Sequence, residues 1–189
     1  MKSEKSNIFE ETVLAFQKGK TVLYPTDTIW GMGCNARLDQ PVAKIISIKN
    51  KPSGKGLIIL IGSLDKLQSY TDFDLNKLPV ATNDRPTTYI IPNGKQLALD
   101  VLGPDGSLAF RIPKDGFCKR LLQELDFPIV STSANFHTSP APKSFEEISK
   151  ALIEQLDHVV PDDQQFKWTG AASQIIQVNS DGSTQIIRE

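Results

Sequence analysis

The two apolar runs near the C-terminal end restrict the fold more than any other stretch. Gln174-Ile-Ile-Gln-Val178 and Thr184-Gln-Ile-Ile187 flank Asp181-Gly182, a dipeptide suited to the positive φ of a tight turn. An antiparallel hairpin is the expected result. Elsewhere β-rich and helix-like stretches mix irregularly, whereas strictly alternating βα units would imply an all-parallel sheet. The hairpin therefore predicts a mixed sheet covered by helices, an α/β fold with α+β character.

Asn7 with Glu10 three places later predicts the start of a helix, with Ile8, Val13, Leu14 and Phe16 as its apolar stripe and Gly19 as its stop. Residues 21–24 read as a strand stopped by Pro25, and residues 26–36 as a polar, glycine-bearing loop. Asp39 is read as the cap of a helix to about Ile48. Residues 57–61 form a buried strand, residues 64–70 a helix, and residues 71–85 an irregular segment. Strands follow at 88–91, 108–112 and 128–132, with Asp115 capping a helix through Leu125 between the last two. Ser144-Phe-Glu-Glu147 is a capping box predicting a helix to about Leu156. No linker, repeat or low-complexity stretch intervenes. The 189 residues are therefore read as one domain, with a core from about 18 to 188 and flexible residues 1–6.

Charge limits the range of partners. With 21 basic and 22 acidic residues the net charge is −1, so any anion site must be local rather than a broad basic surface. The longest aliphatic run, residues 57–61, is too short to cross a bilayer, and no signal-peptide pattern is visible. Cys34 and Cys118 lack CxxC spacing, and His137 and His158 are isolated. Neither a disulfide framework nor a metal site is expected, and a reduced cytoplasmic setting is.

Four segments carry candidate chemistry, each with a plain structural alternative. In Pro25-Thr-Asp-Thr-Ile-Trp-Gly-Met-Gly33, three polar residues follow a strand, and two glycines permit close approach by a ligand. An Asx-capped turn would look the same. In Lys49-Asn-Lys51-Pro52, the proline pushes Lys51 towards extended backbone and stops the helix near Lys49. Two ammonium groups then converge on one anion, with Lys44 and Lys55 adding to the field. A solvated basic helix end, favoured by the helix dipole, is the alternative. In Ser131-Thr-Ser-Ala-Asn135, a continued strand projects Ser131, Ser133 and Asn135 from one face, ready for phosphate or ribose oxygens. A strand running into a polar loop is the alternative. In Phe110-Arg111-Ile-Pro113, an arginine inside an apolar strand must meet an acidic partner or face a cleft. Arg188 taken alone reads as a frayed surface residue.

In this order the four segments resemble the YrdC family. Its hallmarks are a PTxTxxG loop, a Lys-x-Arg-Pro step, an Arg-x-Pro strand and a Ser-Thr-Ser-Ala-Asn segment, and the fit runs from about Lys18 to Arg188. The resemblance implies a twisted, mixed open sheet flanked by helices around a concave basic face. It also implies a short, single-domain nucleotidyltransferase that joins L-threonine, bicarbonate and ATP into threonylcarbamoyl-AMP and pyrophosphate. Mg2+ would enter with the phosphates. Partner transferase machinery would then modify adenosine 37 of tRNA, with weak tRNA or double-stranded RNA binding by the chain itself. Lys49, Lys51, Ser133 and Asn135 match the family's nucleotide tetrad, the two lysines carrying catalysis, and Arg188 matches a late arginine beside the nucleotide. Thr28, Arg111, Ser131 and Ser173 match positions around threonine, with Arg111 on its carboxylate.

Departures are Lys51 for arginine, Trp30 for tyrosine or phenylalanine, His137-Thr138 for Ser-Gly, and Arg85-Pro-Thr-Thr88 for Pro-Gly-Pro before its threonine. A non-enzymatic RNA- or nucleotide-binding paralogue would show such departures, and the otherwise complete set of motifs favours the synthase. A carbamoyl-phosphate-handling domain would normally sit in a longer chain with zinc-finger cysteines.

Overall fold

The structure, a computed structural model, describes residues 4–50, 56–79, 85–114, 116–162 and 169–189. Lys51, Pro52, Lys55 and the expected cap Asp115 lie outside these residues. The helices are α1 (Glu4–Gln17), α2 (Asp39–Lys49), α3 (Leu64–Leu67), α4 (Gly116–Glu124) and α5 (Lys150–Ile153). The strands are β1 (Val22–Tyr24), β2 (Gly31–Gly33), β3 (Ile58–Leu60), β4 (Thr87–Ile91), β5 (Leu108–Arg111), β6 (Ile129–Val130), β7 (Thr132–Ser133), β8 (His158–Val159), β9 (Gln174–Val178) and β10 (Thr184–Arg188).

The strands form two mixed sheets where one was expected: a four-stranded sheet β7-β2-β1-β8 and a six-stranded sheet β10-β9-β4-β5-β3-β6. The expected C-terminal hairpin is present. Its strands β9 and β10 pair antiparallel, and Gly182 takes φ 90° in the turn. Parallel pairs β3–β5 and β4–β9 make the larger sheet mixed.

The expected strand at 128–132 is divided at Ser131 and joins the two sheets. β6 pairs with β3, whereas β7 pairs with β2. Around the division, Val130 N–H donates to the Cys34 carbonyl at 2.8 Å and Ser131 N–H to the Ile58 carbonyl at 2.8 Å. β2 lies in the stretch expected as a polar, glycine-bearing loop, and its backbone lies against this seam. A Cβ added at Gly33 would stand 1.8 Å from the Val130 carbonyl oxygen. The close approach that the glycines permit is therefore used by the chain's own backbone.

Two-residue alternation splits the core between the faces of the sheets. Leu23 and Ile59 join a cluster with Val42 and Ile45 of α2. Val22, Tyr24 and Leu60 join a cluster with Phe16 of α1 and Leu121 and Leu122 of α4. Phe16 meets the Tyr24 ring edge-on at 5.5 Å, and Phe9 meets Phe117 at 5.6 Å.

Three helix starts differ from expectation. α1 begins at Glu4, so Asn7 lies within it. α2 is preceded by Leu38 without a side-chain cap, and Asp39 is its first residue, where its charge suits the helix dipole. The Ser144 box opens no helix. The Glu147 carboxylate accepts the Lys143 N–H at 2.7 Å, Phe145 packs against Trp30 at 5.0 Å, and Ile148 is buried. Packing of the half-buried Phe145 and the buried Ile148 in a turn overrides the local helix signal, and the one-turn α5 follows.

Candidate active site

The site lies at the seam and along the adjoining face of the larger sheet. Its first part is the end of α2. Asn50 turns left-handed there, at φ 51° and ψ 41°, and its N–H bonds the Ile46 and Ser47 carbonyls. Lys49, only 6% exposed, is turned inward. Its ammonium donates to the Ser133 hydroxyl and carbonyl, both at 2.9 Å, and to Asn135 Oδ1 at 2.5 Å. The Ser133 hydroxyl also donates to Asn135 Oδ1 at 2.6 Å. The Asn135 amide donates to the Ser139 carbonyl, and His137 N–H caps the Lys49 carbonyl at 2.8 Å. The structure thus brings together Lys49, Ser133 and Asn135, separated by more than 80 residues in sequence.

The second part is a row of residues set by strand register. Arg111 sits one step beyond the Tyr89–Phe110 pair, which puts it across from Thr88. Thr88 pairs with Ile175, and Ile175 with Arg188. Two residues along each strand, Ile58, Ala109 and Ile90 form a parallel apolar row. Members of both rows line a cleft of about 330 Å³ together with Thr28, Ser131 and Ser133. Lys49 reaches it through Ser133, and among the described residues the cations lining it directly are Arg111 and Arg188.

Buried hydroxyls and carbonyls link the parts. Thr28 Oγ1 lies 2.8 Å from Thr26 Oγ1, which is itself 2.6 Å from the Ile29 carbonyl. Ser173 Oγ and Thr88 Oγ1 are 2.8 Å apart, and the Ser173 carbonyl accepts Arg188 Nη2 at 2.7 Å and Nε at 3.2 Å. Arg188 is therefore oriented rather than frayed. Burial, then the nearby charge of Arg85, lowers its pKa from the ordinary value. Thr169 and Gly170 N–H groups bond the carbonyls of Asp27 and Thr28 at 3.1 and 3.0 Å, fastening the segment before Ser173 across the loop after β1.

Arg111 satisfies both alternatives left open by the sequence. It lines the cleft and is also ion-paired, through Nη1, to Asp27; the two side chains are 6% and 12% exposed. Its Nη2 reaches Thr28 Oγ1 at 3.4 Å. Asp27 was not singled out as a site residue. The available signal was physical: a cation inside an apolar strand demands a counter-charge. The apolar row was missed because no spacing within one strand reveals which neighbours will flank it.

Burial raises the Cys118 and Cys34 thiols well above their ordinary values, so both are protonated and poor nucleophiles at neutral pH. Among the described residues no three His, Cys, Asp or Glu side chains gather as metal ligands. Nor, among them, is any helix long and apolar enough to cross a membrane.

A mixed two-sheet fold with a lysine–serine–asparagine junction beside an arginine-bearing cleft defines the class, and comparison with known proteins agrees. A family model for Sua5, YciO and YrdC proteins, described as "Telomere recombination", matches residues 14–189, and the chain belongs to that family. It is 31% identical over 186 residues to the threonylcarbamoyl-AMP synthase of Xanthomonas euvesicatoria pv. vesicatoria, covering 95% of this chain and 96% of that one. To the Xanthomonas axonopodis pv. citri enzyme of the same name it is 32% identical, with the same coverage. Among solved structures, P. abyssi Sua5 complexed with L-threonine superposes with a TM-score of 0.80 at 21% identity, covering 95% of this chain and 53% of that one. The chain thus spans about half of the Sua5 chain. E. coli YciO gives a TM-score of 0.76 at 22% identity, covering 97% of this chain and 89% of that one. At such identities the two structures establish the fold alone.

Proposed function

We propose that the chain, as a single YrdC-like unit, is an L-threonylcarbamoyladenylate synthase, joining L-threonine, bicarbonate and ATP into threonylcarbamoyl-AMP and pyrophosphate. The observation that carries this reading is the convergence of Lys49, Ser133 and Asn135 at a cleft that Ser133 lines together with Arg111 and Thr28. A charged donor set for phosphate and one for carboxylate then face a common space, as a reaction between an amino-acid carbamate and ATP requires. The synthase names borne by relatives aligned over nearly the whole chain support the same assignment.

In this reading Lys49 and Lys51 offset charge on the triphosphate, Ser133 and Asn135 orient it, and Arg188 lies near the nucleotide. The Lys49 donors already contact three oxygens, so a phosphate oxygen would replace or share one of them, and the site is prepaid in orientation. Arg111 takes the threonine carboxylate, with Thr28, Ser131 and Ser173 around the amino acid. No protein nucleophile is needed. The threonine amine adds to bicarbonate with loss of water, giving a carbamate. A carbamate oxygen attacks the α-phosphorus and the bond to the β,γ-pyrophosphate breaks. Mg2+ would enter as part of the ATP substrate, shielding its phosphates.

The product would be handed to transferase machinery that modifies tRNA in the cytoplasm. A net charge of −1 implies that direct contact with tRNA or double-stranded RNA is weak. The test is incubation with ATP, bicarbonate and L-threonine, omitting each in turn, with mass detection of the adenylate. Pyrophosphate release and adenylate formation requiring all three are expected. Nucleotide binding without turnover would instead favour a non-enzymatic paralogue.

A further inference from the structure

We propose that Asp27 is a positioning residue for amino-acid recognition: it holds the Arg111 guanidinium so that its remaining donor edge faces the cleft. This deepens the synthase reading and rests on it. A guanidinium this buried needs a counter-charge, and Asp27 supplies it from the loop after β1. The contact also fixes direction. One terminal nitrogen is held by Asp27 and the other by Thr28 Oγ1, both on the same loop, so the plane of a rigid fork is set at two points.

The loop cannot follow a wandering arginine. Thr26 Oγ1 accepts the Thr28 and Ile29 N–H groups at 3.0 and 3.1 Å, the Asp27 carbonyl accepts Thr169 N–H, and Cys118 Sγ donates to the Pro25 carbonyl at 3.4 Å. Arg111 and Thr28 line the cleft, whereas Asp27 is not among its lining residues and contacts Arg111. Asp27 therefore acts on substrate through Arg111. The consequence is selectivity for a ligand carboxylate at this end of the cleft, with no effect on the nucleotide end.

The test uses the full chain as wild type, Asp27→Asn and Asp27→Glu. Steady-state kinetics would give KM for L-threonine and for ATP, and calorimetry would compare L-threonine with L-threoninamide, which lacks the carboxylate. Losing one charge-assisted orientation should raise the threonine KM about tenfold to a hundredfold in Asp27→Asn. The ATP KM should stay within about twofold, and the preference for threonine over threoninamide should shrink by the factor seen in the threonine KM. Asp27→Glu keeps the charge but displaces it, so a smaller change in the same direction is expected, and it carries the test if Asp27→Asn does not fold. An unchanged or tightened threonine KM would overturn the proposal, as would equal losses for threonine and ATP, the mark of a merely structural role. A wild type that makes adenylate while Asp27→Asn behaves normally sinks only the positioning role. A wild type that neither binds threonine nor makes adenylate sinks the synthase reading and this proposal with it.

Discussion

The two ends of the cleft are built by different means. At the end proposed for the nucleotide, Ser133 and Asn135 are two residues apart on one segment, and a single helix terminus delivers Lys49 to them. Along the larger sheet, Arg111, Thr88, Ile175 and Arg188 come from four strands, and their alignment, from the residue proposed for the threonine carboxylate to the one proposed for the nucleotide, depends on the sheet's pairing register. One end is a local turn meeting a helix; the other is a row across a sheet. A local device fails when its own side chain is removed. A register device also fails when something distant shifts a strand. The seam at β6 and β7 joins the two, so damage there should reach both.

Lys49→Ala tests that contrast most severely. It removes contacts to three oxygens, and charged hydrogen bonds contribute about 1.5–3 kcal/mol each. Adenylate formation should slow by roughly a hundredfold in a pyrophosphate-release assay, while threonine affinity by calorimetry changes little. If threonine and ATP binding were lost together, the two ends would not be separable.

Gly33→Ala attacks the seam. With a Cβ 1.8 Å from the Val130 carbonyl, β2 or β6 must shift, at a cost of about 1–3 kcal/mol. The melting temperature should fall by a few to roughly ten degrees, and both KM values should rise. A shift in only one KM would show that the ends do not share this support.

Arg188→Ala removes the last member of the row and its bonds to the Ser173 carbonyl. A loss of about tenfold in kcat/KM is expected, smaller than at Lys49 because β10 is an exposed edge strand. An equal or larger loss would show that the row across the sheet matters as much as the local Lys49 junction.

The smallest effect should come from Asp157, which lies in neither end. Burial alone would raise its pKa, but Lys44 and the Thr21 N–H and hydroxyl outweigh that and hold it at about 2. A carboxyl depressed in the folded state contributes stability above its ordinary range, and that stability is lost as pH falls from about 4 towards 2. The Lys44–Asp157 pair is more than a third exposed, so screening keeps the effect small. Thermal melts from pH 5 to pH 2 should show a shallower decline for Asp157→Asn than for wild type, with activity at neutral pH little changed.

The same contrast explains what could be read in advance. Lys49 was legible because a helix stop before proline is a local signal; Ser133 and Asn135 were picked out for a continued strand, but they meet instead through a bend after β7. The terminal hairpin was legible for the same reason, and so was the helix after Ser63, whose hydroxyl caps the Lys66 N–H. The Ser144 box carried an equally local signal and failed, because Phe145 and Ile148 had better burial against the core than helix formation offered. Ser173 and Arg188 could be placed only loosely from sequence, because their meeting depends on strand pairing rather than spacing.

Chain chemistry alone settled which groups need satisfying: an arginine among apolar residues wants a carboxylate, and glycines between polar residues want close backbone contact. Folding chose the partners, Asp27 for Arg111 and the Val130 carbonyl for Gly33, and it divided one expected strand between two sheets. Propensity, capping and alternation act within a few residues, and so they are written along the chain. Register, burial and charge pairing are won by competition among segments far apart, and that outcome exists only once the whole chain has packed.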